Sequence, residues 1–259
     1  MKEQIFYIGI DLHGTLINNE EKIAEGSLQY LETLLKNKPD NFRIYICTGN
    51  DLLFVQRKLK DVFELFDGAI LETGCVISND KKSENIIVPK ELLIKIKEVE
   101  DILLDEDHPE VYKFARRLAT ISLFTKYGIS IPEFHTKMQN ELKNLDFCRV
   151  TRSSVAVDIL PNGFDKYSGL KYVAGEYGII VAIADSLNDI EMLKQADITY
   201  MPGNADDQTV ELLAKTRSKK DLSYSIEKDS FYIAGKKETF GVIEILEHLY
   251  RNFENFNRK

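Results

Sequence analysis

Four short apolar runs, each ending in a turn-forming or acidic stretch, restrict what this chain can fold into more than any other feature. Residues 5–10 end at Asp11, residues 43–47 at Thr48-Gly49 and residues 179–184 at Asp185, with a further run at 69–71. Runs that are apolar throughout suit strands covered on both faces, as in parallel sheets. Between them the apolar positions take helical spacing. Leu28, Leu31, Leu34 and Leu35 follow Ser27 as a candidate cap, and Leu52, Leu53, Val55, Leu59 and Val62 follow Asn50 or Asp51. Leu170, Val173 and Ala174 follow Lys166, and Met192 and Leu193 follow Asp189. Strand alternating with helix implies right-handed crossovers and an α/β fold with a doubly wound parallel sheet, whose functional groups collect at the carboxyl ends of the strands. Asp11, Thr48 and Asp185 are expected there.

The rhythm breaks between residues 89 and 160. Helical stretches at 91–104 and 133–145, a mixed stretch ending at 119–124, and alternating runs at 147–151 and 154–160 predict a small α+β domain at 89–160. It would be inserted into a core formed by 1–88 and 161–259, with Pro161-Asn162-Gly163 as the returning turn. In the insert, Lys113, Arg116 and Arg117 form a basic cluster that reads as a solvated helical face, the alternative being a group that faces the core and reads an anionic or polyhydroxyl substrate, and Tyr112, Phe114, Phe124 and Phe134 read as core. The three cysteines, Cys47, Cys75 and Cys148, are odd in number and far apart, which suits buried thiols rather than a zinc site or disulfides.

Composition narrows the partners. The sequence has 34 Lys plus Arg against 42 Asp plus Glu, a net charge of −8, which argues against a sequence-independent grip on nucleic acid or anionic lipid. No apolar run approaches the roughly 20 residues needed to span a bilayer. The amino terminus has no signal-peptide pattern, so the cytoplasm is the expected compartment. Without a heptad seam, a monomer or weak homodimer is expected.

The strand-end residues have chemistry of their own. A carboxylate at Asp11 can attack phosphorus or hold a metal, and Gly14 lets the chain turn tightly around a ligand. Thr48-Gly49-Asn50 offers a hydroxyl and backbone N–H groups to an anion at the start of a helix. Lys166 adds a fixed positive charge. Asp185, Asn188 and Asp189 gather two carboxylates and an amide in one turn, a set suited to magnesium completed by waters and substrate phosphate.

In this order the four pieces resemble the motifs of the haloacid dehalogenase superfamily of phosphohydrolases. The first motif, D-x-D-G-T-[LV], is met by Asp11, Gly14, Thr15 and Leu16, with His13 at the second acidic position. The second is met by Ile46-Cys47-Thr48-Gly49, with Asn50 where many members have Arg. The third, P-x-G-x-[SDN]-K-G, is met by Pro161, Gly163, Asp165 and Lys166, with Tyr167 for the last glycine. The fourth, G-D-x-x-N-D, is met by Asp185, Asn188 and Asp189, with Ala184 for the glycine. Met201-Pro202-Gly203-Asn204-Ala205 and Gly241-Val242 are similar to later stretches of the Cof-type branch. The insert lies where the Cof-type and sucrose-phosphate phosphatase branches carry a large α/β cap.

The resemblance implies a Rossmann-like core and a magnesium-dependent phosphatase acting on a small phosphorylated metabolite, a sugar phosphate most of all, through an aspartyl-phosphate. Asp11 would be the nucleophile. Magnesium would sit among the Asp11 carboxylate, the His13 backbone carbonyl and Asp185, with Asp189 in support. Thr48, Gly49, Asn50, Lys166 and Asn188 would hold the phosphate. His13 would stand in for the usual acid/base aspartate, and imidazole can serve that role near neutral pH. The same substitution leaves two other readings: a phosphosugar mutase, and a sugar-phosphate-binding protein without turnover.

Overall fold

A computed structural model describes residues 4–256 except 61, 106, 107, 116, 154 and 228. In chain order it begins with β1 (Phe6–Asp11), α1 (Leu28–Lys36), β2 (Phe42–Cys47), α2 (Leu52–Lys58), β3 (Gly68–Leu71), β4 (Val76–Ser78) and β5 (Asn85–Ile86). There follow α3 (Lys90–Asp105), β6 (Val111–Ala115), β7 (Ile121–Thr125), α4 (Ile131–Glu141), β8 (Cys148–Arg152) and β9 (Ala156–Pro161). The last part is α5 (Lys166–Ala174), β10 (Ile179–Ile183), α6 (Ile190–Gln195), β11 (Ile198–Met201), α7 (Asp207–Ala214), β12 (Ser218–Asp221), β13 (Ser230–Ile233) and α8 (Glu238–Phe256).

The strands form two sheets, a nine-stranded one in the order β12-β13-β11-β10-β1-β2-β3-β4-β5 and a four-stranded one in the order β6-β7-β9-β8. The large sheet is parallel from β12 to β3, and only β4 and β5 at one edge run antiparallel. This is the expected α/β architecture. Both faces are covered because the strand residues are apolar on both. Phe6, Ile8, Ile10, Ile44 and Ile46 join one buried cluster with Leu31, Leu35 and Leu246. Tyr45, Cys47 and Ala182 join another with Leu170 and Met192. All three cysteines are free and buried, as expected.

Register decides what the sheet presents. Strand β1 pairs in parallel with both neighbours, Ile10 opposite Ile183 on one side and Asp11 opposite Cys47 on the other. Asp11, Thr48 and Asp185 therefore emerge within two residues of one another along the same edge.

The four-stranded sheet is antiparallel throughout and packs one face against α3 and α4 through Ile96, Val99, Leu103, Phe134, Met138, Ile121, Leu123, Val157 and Ile159. Period-two alternation sends Ser122, Phe124 and Asp158 to the opposite face, where they line a cavity of about 1080 Å³ shared with Asp11, Thr48 and Lys166.

Some local expectations are corrected. Ser27 precedes α1 but does not cap it; its hydroxyl donates to the Ala24 carbonyl (2.6 Å), while Asp51 caps α2 by accepting from the Phe54 N–H (2.8 Å). Lys113 lies in β6 and Arg117 in the β6–β7 loop, so neither belongs to a solvated helical face; Arg116 lies outside the described residues. A short alternating run next to a polar loop is a strand, and the basic spacing mimicked a helix face. Phe134 is buried and Phe114 packs on the core, but Phe124 faces the cavity by strand alternation and Tyr112 is exposed at the register shift between Val111 and Lys113. Among the described residues, no helix is long and apolar enough to cross a membrane.

Gly74, after β3, has φ +94°, and a Cβ there would collide with the Asp165 backbone carbonyl; Gly128 has φ +84° with open space around it. Gly128→Ala is expected to cost about 1 kcal/mol of left-handed strain, and Gly74→Ala that plus the displacement of α5. Equal losses in urea unfolding would contradict the close packing of the 72–74 loop on α5.

Candidate active site

Asp11 is the last residue of β1 and is 5% exposed. Beyond it the chain folds back on itself, with the Leu16 and Ile17 N–H groups donating to the Leu12 carbonyl (3.0 and 2.8 Å) and Gly14 N–H to the Ile17 carbonyl (2.8 Å). Gly14 takes φ +77°, and any side chain at that position would strike the Asp185 carboxylate. Thr15 donates its hydroxyl to Asp185 Oδ1 (3.0 Å). Asn204 ties the same loop to the rest of the core, donating to the Gly14 carbonyl (2.7 Å).

Lys166 opens α5, whose amino end is fixed by a capping box between Asp165 and Ser168. Its Nζ lies 2.5 Å from Asp11 Oδ1 and 2.6 Å from Asp189 Oδ1, with all three side chains at most 10% exposed. Burial works against the ammonium, but the carboxylates of Asp11 and Asp189 outweigh it and hold the lysine above its ordinary pKa. Burial also pushes Asp189 upward, against the pull of Lys166. Asp185 is pushed up to about 6, by burial and then by the neighbouring Asp11.

The Thr48–Asn50 turn is held from outside. Thr48 Oγ1 accepts from the Asn50 backbone N–H (3.2 Å) and side-chain amide (3.3 Å). The Thr73 N–H donates to the Thr48 carbonyl (3.0 Å) and the Glu72 N–H to the Asn50 carbonyl (3.2 Å). Thr48, Gly49 and Asn50 all line the cavity, as does Asn188, which is exposed in the short helical turn after Asp185.

His13 projects from the loop after Asp11 with its side chain 41% exposed, packed on the Phe54 ring (5.4 Å between centroids) and 3.9 Å from Glu21 Oε1. Partial burial pushes its pKa down, against the pull of the Asp11 and Glu21 carboxylates.

The strand-end residues picked from the sequence thus gather on one wall of one cavity. Among the described residues no three carboxylate, imidazole or thiolate groups close into a ready-made metal cage. The donor set nevertheless fits magnesium, which takes oxygen ligands and binds through one or two carboxylates plus waters and phosphate. Asp11 and Asp185 bring two carboxylates to one cavity, where burial and then the neighbouring Asp11 charge push Asp185 upward.

Of the facing wall, the sequence offered Arg117 alone, as the alternative reading of its basic cluster. Arg117, Ser122, Phe124, His135, Arg149, Arg152 and Asp158 all line the cavity. The available signal was alternation in 121–125 and 156–161, which separates core from cavity-facing residues once the strands are recognised.

Comparison with known proteins agrees with this geometry. A family model described as haloacid dehalogenase-like hydrolase matches residues 8–107 and 97–222, most of the chain. The chain belongs to that family. Within these hydrolases, a phosphoglycolate phosphatase of Methanobrevibacter smithii is 25% identical over 215 residues, covering 77% of this chain and 86% of the relative. The 5-amino-6-(5-phospho-D-ribitylamino)uracil phosphatase YitU of Bacillus subtilis is 23% identical over 254 residues, covering 83% and 93%. The fold matches the sucrose-phosphatase of Synechocystis, solved with sucrose and phosphate, at a TM-score of 0.67 with 18% identity over 95% of this chain and 98% of that one. A Thermoplasma acidophilum protein matches at 0.68, also with 18% identity over 95% and 98%. Family and relatives together make the chain a haloacid dehalogenase-like phosphatase.

Replacing Lys166 by Met strands two buried carboxylates, and removing one partner of a buried ion pair costs about 3 kcal/mol or more. Unfolding in magnesium-free buffer at neutral pH is expected to show that loss, and the Lys166→Met/Asp189→Asn double variant to recover part of it. An unchanged unfolding midpoint for Lys166→Met would show that the ion pairs hold nothing together.

Proposed function

We propose that the chain is a magnesium-dependent phosphomonoesterase of small phosphorylated metabolites, sugar phosphates or phosphorylated hydroxy acids, working through a phosphorylated Asp11. The observation that supports this most is the Asp11 carboxylate at the end of β1, held by Lys166 at 2.5 Å beside the Thr48–Asn50 turn. The names of the relatives support the substrate classes.

In this reading an Asp11 oxygen forms a bond to phosphorus while the ester P–O bond breaks, and the leaving alcohol takes up a proton. Water then attacks the aspartyl-phosphate, releasing inorganic phosphate and restoring the carboxylate. Splitting one displacement in two lowers each barrier. Lys166, Thr48 and the Gly49 N–H hold the phosphate oxygens over which transition-state charge spreads, and Asn50 and Asn188 flank them. His13 would carry the proton: as imidazolium it would give one from a ring nitrogen to the leaving alcohol, and as the neutral imidazole left behind it would take one from the attacking water. Magnesium, held by the Asp11 and Asp185 carboxylates and the His13 carbonyl with Asp189 behind them, would screen the repulsion between Asp11 and the anionic phosphate. Thr15 fixes the Asp185 carboxylate through its hydrogen bond. The inserted unit, 89–160, acts as the cap that shelters the substrate from water.

Phosphate release should be measured with and without magnesium on 2-phosphoglycolate, 5-amino-6-(5-phospho-D-ribitylamino)uracil, sucrose phosphate and hexose phosphates. At least one is expected to turn over in a magnesium-dependent way, and Asp11→Asn to lose roughly 10³-fold or more. Thr15→Val is expected to weaken magnesium about tenfold, as loss of an outer-shell partner does. An isomeric sugar phosphate without free phosphate would replace this reading by a mutase. Turnover gained only on His13→Asp would replace it by a binding protein whose histidine blocks the reaction.

A further inference from the structure

Glu72 is 1% exposed, sits just past β3, and spends its side chain on the other sheet's connecting loop. Its Oε1 accepts from the Leu118 N–H (2.8 Å), and its Oε2 from the Ala119 N–H (2.9 Å), the Thr120 N–H (3.1 Å) and the Thr120 hydroxyl (3.1 Å). Three successive amides and a hydroxyl converge on one carboxylate, an anion nest with the anion supplied by the core. Charge-assisted bonds of this kind are about twice as strong as neutral ones.

The backbone carrying Glu72 is strained. Glu72, Thr73 and Gly74 take φ of +46°, +54° and +94°, two of them without glycine's freedom. Such conformations persist where surrounding contacts over-determine them, and they cluster at functional sites. Here the contacts are three. The Glu72 and Thr73 N–H groups hold the Thr48–Asn50 turn, Gly74 lies against the Asp165 carbonyl before Lys166, and the Glu72 carboxylate holds the 118–120 loop. One strained turn thus touches the phosphate turn, the lysine helix and the cap.

The residue delivered by the held loop is Arg117. Its guanidinium lines the cavity and donates to Ser122 Oγ (3.3 Å), Asp51 Oδ2 (3.3 Å) and Asn50 Oδ1 (3.5 Å); Ser122 in turn donates to Asp158. Those three bonds are longer than well-formed N–H···O bonds of about 2.7–3.2 Å. A planar fork that lines the cavity beside a turn presenting Thr48 Oγ1 matches the paired oxygens of a phosphate or carboxylate. Asn50 ties the two together, accepting from Arg117 while its amide donates to Thr48.

We propose that Glu72 is a positioning residue that clasps the cap loop to the core, and that the clasp delivers Arg117 to the Thr48–Asn50 turn to receive an anionic oxygen of the substrate. This deepens the phosphatase reading of the same site. It assigns to the cap a substrate contact whose strength depends on a core carboxylate lying outside the catalytic group.

The test separates clasp, contact and reading. Amide exchange at 118–120 is expected to be slow in the wild type, to speed up at least about tenfold in Glu72→Gln, whose NH₂ group faces donors, and to stay slow in Arg117→Ala. Titration calorimetry with inorganic phosphate in magnesium buffer is expected to show about tenfold or greater weakening in both Glu72→Gln and Arg117→Ala, the worth of a charged hydrogen bond. The double variant should be no worse than the weaker single. KM for para-nitrophenyl phosphate should rise in parallel with little change in kcat. Thr120→Val, which removes one of the four bonds, gives a smaller shift in the same direction and serves if Glu72→Gln does not fold. Unchanged exchange in Glu72→Gln overturns the clasp. Faster exchange with unchanged phosphate affinity and KM makes it scaffolding only and overturns the positioning role, and unchanged affinity in Arg117→Ala overturns the contact. A wild type that binds no phosphate defeats the phosphatase reading itself, and the inference with it.

Discussion

The parallel register of β1 between β2 and β10 is the constraint on which the rest of the structure hangs. It places Asp11 opposite Cys47 and Ile10 opposite Ile183, so that Thr48 and Asp185 leave the sheet beside Asp11. Register in a sheet buried on both faces is hard to change, since a one-residue slip would exchange the Phe6, Ile8 and Ile10 side for the Tyr7 and Gly9 side. Many fully buried large apolar side chains, each contributing about 1.5–3 kcal/mol, therefore fix a polar site at the edge of the sheet.

That rigidity tolerates an electrostatically costly cluster. Asp11, Asp185 and Asp189 are gathered at the end of the sheet with one ammonium, Lys166, between two of them. Burial first pushes Asp185 and Asp189 upward, and the packed strands hold them in place regardless. These oxygen donors and the Lys166 ammonium are the groups that the proposed magnesium and phosphate would meet.

Much of this was legible in the sequence, for physical reasons. Continuous apolar runs ending in Asp or Thr-Gly suit buried parallel strands, so β1, β2, β3 and β10 and the helices that follow them could be read from the pattern, while β4, β5 and β11 to β13, shorter or more polar, could not. The inserted sheet was visible as a change in rhythm, but the direction of its side chains was not. Arg117 stood in a basic run that imitates a solvated helix face, and only the path of the loop between β6 and β7 turns it toward the cavity. Glu72 left no trace at all, because one acid after an apolar triplet looks like any turn residue. Its role depends on a loop 46 residues away, and contacts of that sequence separation leave no periodic mark. Ser27 failed as a cap because its hydroxyl found the Ala24 carbonyl first, a local competition that residue type does not reveal.

The central claim is that Asp11 carries the phosphoryl group. The most direct measurement is an acid quench during turnover of whichever substrate is hydrolysed, followed by peptide mapping of the protein by mass spectrometry. The account predicts a phosphorylated peptide containing Asp11, present only with substrate and magnesium and absent in Asp11→Asn. Phosphate release with an unmodified Asp11 peptide, or a phosphoryl group found on another residue, would contradict it.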